Sequence, residues 1–181
     1  MLPWTMPRLD TPPVLLRAFA PGDVPLIMSV AGDPLIPLIT TIPTSGSEDD
    51  ARAYLQRQHD RLTTRAGYSF AIADAQTGRA VGQIGLWTSQ IGAGHASIGY
   101  WIAGQYRRRG YARAALAALT AWACGIEDIK RLHLFVEPWN QGSWKTAEAC
   151  GYHREGLLRR WERVGDEHRD MYVYSVIPEH S

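Results

Sequence analysis

Hydrophobic and polar residues change rhythm along this chain, and the changes mark its elements. Residues 14–19, VLLRAF, are apolar around one arginine and stop at Pro21-Gly22, as a strand does before a break. Asp23 stands where it would cap a short helix running to about Ala31. Residues 33–46, DPLIPLITTIPTSG, are rich in prolines and threonines and read as a loop. A clearer helix covers 47–65, with Ser47 at the cap, Glu48, Asp49 and Asp50 in the first turn and arginines at the far end. Three runs follow in series: YSFAIADA (68–75), AVGQIGLWTS (80–89) and HASIGYWIA (95–103). The short turns QTGR and QIGAG between them predict an antiparallel meander. Helical spacing returns from Tyr111 to about Gly125. RLHLFVEP (131–138) then reads as a strand ended by Pro138, and QGSWKTAEACG (141–151) as a short helix closed by Gly151. EGLLRRWERVG (155–165) and RDMYVYSVI (169–177) form a hairpin about Gly165-Asp166. The order predicts a mixed α/β fold, one sheet with helices packed on it.

Composition narrows what such a fold does. The 181 residues, taken as one domain over 1–181, suffice for a sizeable core. A net charge of +1 gives little support to a broad nucleic-acid surface. No apolar run reaches the roughly 18 residues of a membrane span, and MLPWTMPRLDTPP lacks the pattern of a signal peptide, so a cytoplasmic protein is expected. Cys124 and Cys150 make neither a disulfide framework nor a metal-ligand cluster and read as reduced, mostly buried thiols. No metal is expected.

Candidate chemistry concentrates in YWIAGQYRRRGYARAALAALTAW, residues 100–122, where a strand hands over to a helix. A helix N-terminus carries unbonded N–H groups and partial positive charge, and binds phosphates through them. Gly110 allows close backbone approach, and Arg107, Arg108 and Arg109 add charge. The same residues also suit a solvated basic turn, and spacing leaves both readings open. G-x-x-x-x-G-K-[ST] and G-x-G-x-x-G are both absent, so this is neither a Walker loop nor a dinucleotide fingerprint.

Arg107-Arg108-Arg109-Gly110-Tyr111-Ala112 fits the Q/R-x-x-G-x-G/A signature of the GNAT acyltransferases, between the strand SIGYWIA and a helix. Together with LHLFVEP, Asn140, Ser143, CGYHREG and RDMYVYSVIP, it makes the chain similar to the ribosomal-protein N-terminal acetyltransferase branch of that family. The resemblance spans nearly the whole chain and is weakest over 33–47. It implies a GNAT fold, a mixed and mostly antiparallel sheet splayed in its middle with helices on both faces. It implies acetyl-coenzyme A as acyl donor. Backbone N–H groups from Arg107 to Ala112 would hold the pyrophosphate. The pantetheine arm would lie along the strand ending at Trp101-Ile102, where an N–H polarises the thioester carbonyl. Asn140 would bond the arm, and Ser143 would protonate the leaving thiolate. Many family members place a tyrosine seven residues after this asparagine as that acid; here the position is Ala147.

Read as residues alone, Asn140 and Ser143 also suit the cap of the helix that follows Pro138. The base implied by the resemblance is Glu162, which otherwise reads as a surface acid among Arg159, Arg160 and Arg163; His95 and Glu137 are weaker candidates. Trp87, Trp101, Trp139, Trp144 and Trp161 are expected in the core or pocket wall. The expected reaction is direct transfer to a primary amine in a ternary complex. The acceptor would be a peptide N-terminus or small amine, with no nucleic acid or membrane as partner, and a homodimer is left open. A noncatalytic acyl-coenzyme A-binding module, a longer acyl donor and RNA binding through RRRG are the rival readings.

Overall fold

The structure is a computed structural model and describes residues 1–179. Its elements are β1 (Leu9–Thr11), β2 (Val14–Arg17), α1 (Val24–Val30), α2 (Ile36–Ile39), α3 (Glu48–Thr63), β3 (Gly67–Asp74), β4 (Ala80–Trp87), β5 (His95–Ile102), α4 (Tyr111–Cys124), β6 (Arg131–Val136), α5 (Gln141–Ala149), β7 (His153–Val164) and β8 (Glu167–Val176). The strands form one sheet in the order β1-β2-β3-β4-β5-β6-β8-β7. Neighbours pair antiparallel except β5 and β6.

The centre of the sheet is buried on both faces, which explains why its strands read as continuous apolar runs. Phe70 and Ile72 of β3 pack with Leu116 and Leu119 of α4 on one face. Ala71, one residue out of phase, packs with Ile27 of α1 and Tyr54 and Leu55 of α3 on the other. Among the described residues no helix is long and apolar enough to cross a membrane.

The β5–β6 pair decides the shape of the molecule. It is parallel and short: His95 pairs with Arg131, Ala96 with Leu132 and Ser97 with His133. Beyond Ser97, β5 stays on β4 as far as Ile102, while β6 stays on β8 as far as Val136. The sheet therefore opens like a V from Ile98 onward.

Local differences from the sequence reading have physical causes. Residues 33–46 are not loop throughout: Asp33 Oδ1 accepts from the Leu35 and Ile36 amides at 2.9 and 3.0 Å and starts the one-turn helix α2. Strand β1 was not foreseen; at three residues it is too short to show a period. Asp23 precedes α1, but its carboxylate takes Arg17 and the Ala20 amide in place of a helix amide. The two cysteines are free but only half-buried. Trp139 and Trp161, expected inside, are 58% and 55% exposed.

Candidate active site

The opening between β5 and β6 is a cleft of about 580 Å³. Its sides are β5 from Ser97 to Trp101 and β6 from Leu134 to Val136, with Glu137 just beyond. Asn140 and Ser143 close one end, Glu162 and Met171 come from the β7–β8 hairpin, and Leu35, Ile39, Thr40 and Thr41 come from α2 and its flanks.

Backbone geometry makes β5 an unpaired edge here. The Ala103 amide donates to the Val81 carbonyl of β4 at 3.0 Å. Alternation then turns the N–H and C=O of Ile102 the other way, toward the opening. The Ile102 carbonyl is indeed taken on that side by Arg107 Nε, at 2.9 Å.

The turn before α4 continues from this edge. Gly110 is its N-cap with φ +83°, and Arg108 has φ +61°. A Cβ built on Gly110 meets nothing within 4 Å, so its surroundings are open. Among the described residues the N–H groups of Arg108, Arg109 and Gly110 find no backbone partner, and those of the first helical turn have none by construction. Arg107 differs. Its N–H reaches the Gly104 carbonyl at 3.3 Å, and its guanidinium pairs with Asp33 at 2.7 Å. The arginine thus braces the turn against the start of α2. Tyr111 donates to Asp74 at 2.7 Å, and Arg109 lies over the Tyr106 ring.

At the far side, Asn140 is the N-cap of α5 and its Oδ1 accepts from the Ser143 amide at 3.2 Å. The Ser143 hydroxyl lies 3.0 Å from the Tyr100 hydroxyl, which also donates to the Ser143 carbonyl at 3.2 Å. Burial pushes the Tyr100 phenol up to about 12, with the Ser143 bond opposing. Tyr100 was not singled out in the sequence, though it lies within GYWI; only the pairing of β5 aims its ring at α5. Glu162 remains solvent-exposed, yet the cleft wall desolvates its carboxyl and pushes it above the ordinary carboxylate range, and Glu137 adds to the shift. The structure brings Trp101, Asn140, Ser143, Glu137 and Glu162 around one cleft, with the 107–112 turn beyond its lining and His95 at the closed end of the β5–β6 pair.

A buried polar network underlies the cleft. Gln83 accepts from Trp101 Nε1 at 2.9 Å and from the Tyr54 hydroxyl, and donates to Ser69 at 2.7 Å. Gln58 joins it, and Arg61 donates from Nε to Gln58 at 3.0 Å.

Residues 14–153 match the family model described as an acetyltransferase (GNAT) domain. The chain belongs to the GNAT acetyltransferase family. It is therefore an acyltransferase whose donor is acetyl-coenzyme A. The uncharacterized N-acetyltransferase p20 of Bacillus licheniformis is 25% identical over 172 residues, covering 95% of this chain and 97% of that protein. A GNAT-family acetyltransferase from Bacillus anthracis superposes with a TM-score of 0.81 at 21% identity, covering 96% of this chain and 100% of that one. Mycobacterium smegmatis RimJ, solved with a coenzyme A disulfide, superposes with a TM-score of 0.79 at 22% identity, covering 95% and 86%. At these identities the two structures establish the GNAT fold.

Proposed function

We propose that the chain, acting as one domain, moves the acetyl group of acetyl-coenzyme A directly to a primary amine held in the β5–β6 cleft; its N-acetyltransferase relative p20 supports nitrogen as the acceptor atom. One observation carries the reading: an unpaired strand edge leads from a helix N-terminus with free amides to a cleft holding both a hydroxyl and a carboxylate. The amides of Arg108 to Ala112 hold the pyrophosphate. The pantetheine arm adds to β5 as an extra strand, at the edge presented by Ile102. The Ile102 N–H stabilises the oxyanion that develops on the thioester carbonyl. Trp101 and the Asn140 side chain fix the arm.

The amine lone pair attacks the carbonyl carbon, the carbon–sulfur bond breaks, and the sulfur leaves as a thiolate. Glu162 takes the proton that the amine loses. Ser143, oriented by Tyr100, gives a proton to the thiolate and recovers it from solvent. A thiol of pKa roughly 8–9 leaves readily, so this acid is helpful without being indispensable. An α-amine of pKa about 8 is about a tenth neutral at pH 7, against about 0.04% for a lysine side chain, so Glu162 suffices for an α-amine. The acceptor wall is apolar and threonine-bearing at Leu35, Ile39, Thr40 and Thr41. The acids opening α3, Glu48, Asp49 and Asp50, are not among the residues that line the cleft, and the lining from α2 and its flanks carries no charged side chain. It suits one amine on a partly apolar body.

The test offers a short peptide, a hydrophobic small amine, spermidine and an aminoglycoside, with acetyl- and succinyl-coenzyme A side by side and mass-spectrometric readout. We expect acetylated peptide or hydrophobic amine with matching thiol release. Cofactor binding without transfer to any amine overturns the reading.

A further inference from the structure

One cation in the cleft has no counter-charge. Three arginines of the chain are half-buried: Arg17, Arg61 and Arg131. Arg17 sits on Asp23 at 2.7 Å, and Arg131 forks onto Glu155. Arg61 has no carboxylate within ion-pair distance among the described residues. Removing a guanidinium from water without a partner is costly, and at the other two sites the fold supplies an acid.

Arg61 is also held in a fixed pose. Its Nε donates to Gln58, which the buried Ser69 and Gln83 fix in turn. Its guanidinium carbon lies 4.6 Å from the Trp87 ring centroid. Trp87 in turn lies against β4 because Gly85 has no side chain: a Cβ there would come within 2.2 Å of the indole. The terminal nitrogens of Arg61 make no hydrogen bond among the described residues, and the residue lines the cleft. Among the described residues it is the one Lys or Arg to do so, while the acids Glu137, just after β6, and Glu162 of β7 line it as well.

The arginine is not placed for the phosphates of the donor. It projects from α3, which packs on one face of the sheet, whereas the free amides belong to the start of α4 on the opposite face. An ammonium group is drawn to Glu162 and Glu137, and an anion to Arg61. The cleft thus offers charges of both signs, the cation from α3 and an acid from β7, that are not paired with each other.

We infer that the acceptor is a small primary amine that also carries a carboxylate, and that Arg61 binds this carboxylate through its free guanidinium nitrogens; the inference rests on the acetyl transfer proposed above. A fork of parallel N–H donors matches a carboxylate bidentately and matches neither a carboxamide nor a second ammonium. A polyamine meets repulsion at Arg61, which agrees with the shortage of acids on the α2 wall.

The test compares L-leucine, L-leucinamide and isoamylamine as acceptors. The amine of the amide is the least basic of the three, so intrinsic reactivity favours leucinamide and a preference for leucine must come from the site. We expect kcat/KM for leucine to exceed that for leucinamide at least tenfold. Arg61→Gln brings the ratio toward one, and Arg61→Lys keeps part of it. Calorimetry with N-acetyl-L-leucine and its amide gives a readout without turnover: Arg61→Gln weakens the acid at least tenfold more than the amide. Equal rates for the three acceptors in the native protein, or an unchanged ratio in Arg61→Gln, overturn the inference while leaving acetyl transfer standing. Arg61-dependent binding of the acid with no acetylation of any amine does the reverse.

Discussion

At the residue scale, the hydroxyl pair of Ser143 and Tyr100 and the carboxylate of Glu162 divide the proton traffic. The Ser143 amide, not its hydroxyl, is what Asn140 caps, so Ser143→Ala leaves the cap of α5 intact. We expect this variant to lose about 10²-fold in turnover, the low end for general acid help, with a much smaller change in acetyl-coenzyme A affinity. Tyr100→Phe should lose less, and adding it to Ser143→Ala should lose little more, since both act on one proton. Single-turnover thiol release measures this; additive losses in the double variant would separate the two roles. Glu162 acts as a base only when ionised, and burial raises its pKa. The rate should therefore rise as pH climbs through that raised value, and Glu162→Gln should flatten this acid limb. With a peptide acceptor a limb near pH 8 should survive, because it belongs to the peptide's α-amine. A pH–kcat/KM profile of both proteins checks the assignment.

At the scale of elements, the turn before α4 and the helix behind it act together. Gly110→Asp puts a Cβ on a residue at φ +83° and a negative charge where phosphates bind. Affinity for acetyl-coenzyme A should fall at least tenfold, about 1.4 kcal/mol, by calorimetry on the folded variant. Arg107 is expected to behave differently from Arg108 and Arg109, because Asp33 and the Ile102 carbonyl hold its side chain. An ion pair this exposed contributes about 0–1 kcal/mol. Arg107→Ala should thus raise the acceptor KM up to about fivefold by loosening α2, with less effect on cofactor affinity. A larger loss in cofactor affinity would show Arg107 to be a phosphate ligand. The run RRRG gives no hint of this division of labour; Asp33 lies 74 residues away.

At the scale of the molecule, the β5–β6 junction carries both the opening and a pH liability. His133 is buried beside that junction, and among the described residues its Nδ1 has no hydrogen-bond partner. Burial lowers its pKa, Arg131 and His95 push the same way, and Glu155 opposes. The unfolded chain then binds the proton more readily than the native one. Stability is full above the unfolded value of about 6.5 and falls as pH drops toward the lower folded value. Urea titrations at pH 7.5 and 5.5 should show this loss, and His133→Leu should shrink it. An equal loss in the variant would remove His133 as the cause.

Much of this molecule is legible in its sequence, because the signals are local. Strand and helix periods, the Ser47 cap, the Gly151 stop and the Gly165-Asp166 turn each depend on residues within a few positions of one another. The RRRG turn is equally local, since a helix N-terminus and a left-handed glycine need no distant partner, and with the strand before it and the motifs after it the turn carries the family resemblance. What the tertiary structure decided is everything that depends on which strands part and which face a side chain takes. The three-residue pairing of β5 with β6 opens the cleft, and strand register aims Tyr100 at Ser143, 43 residues on. The fold gives Arg17 and Arg131 a carboxylate each and, among the described residues, leaves Arg61 without one within ion-pair distance, although in the sequence Arg61 is only a basic residue in the last turn of a helix. Charge pairing across a sheet is set by packing at long sequence separation, and no local pattern of hydrophobic and polar residues encodes it.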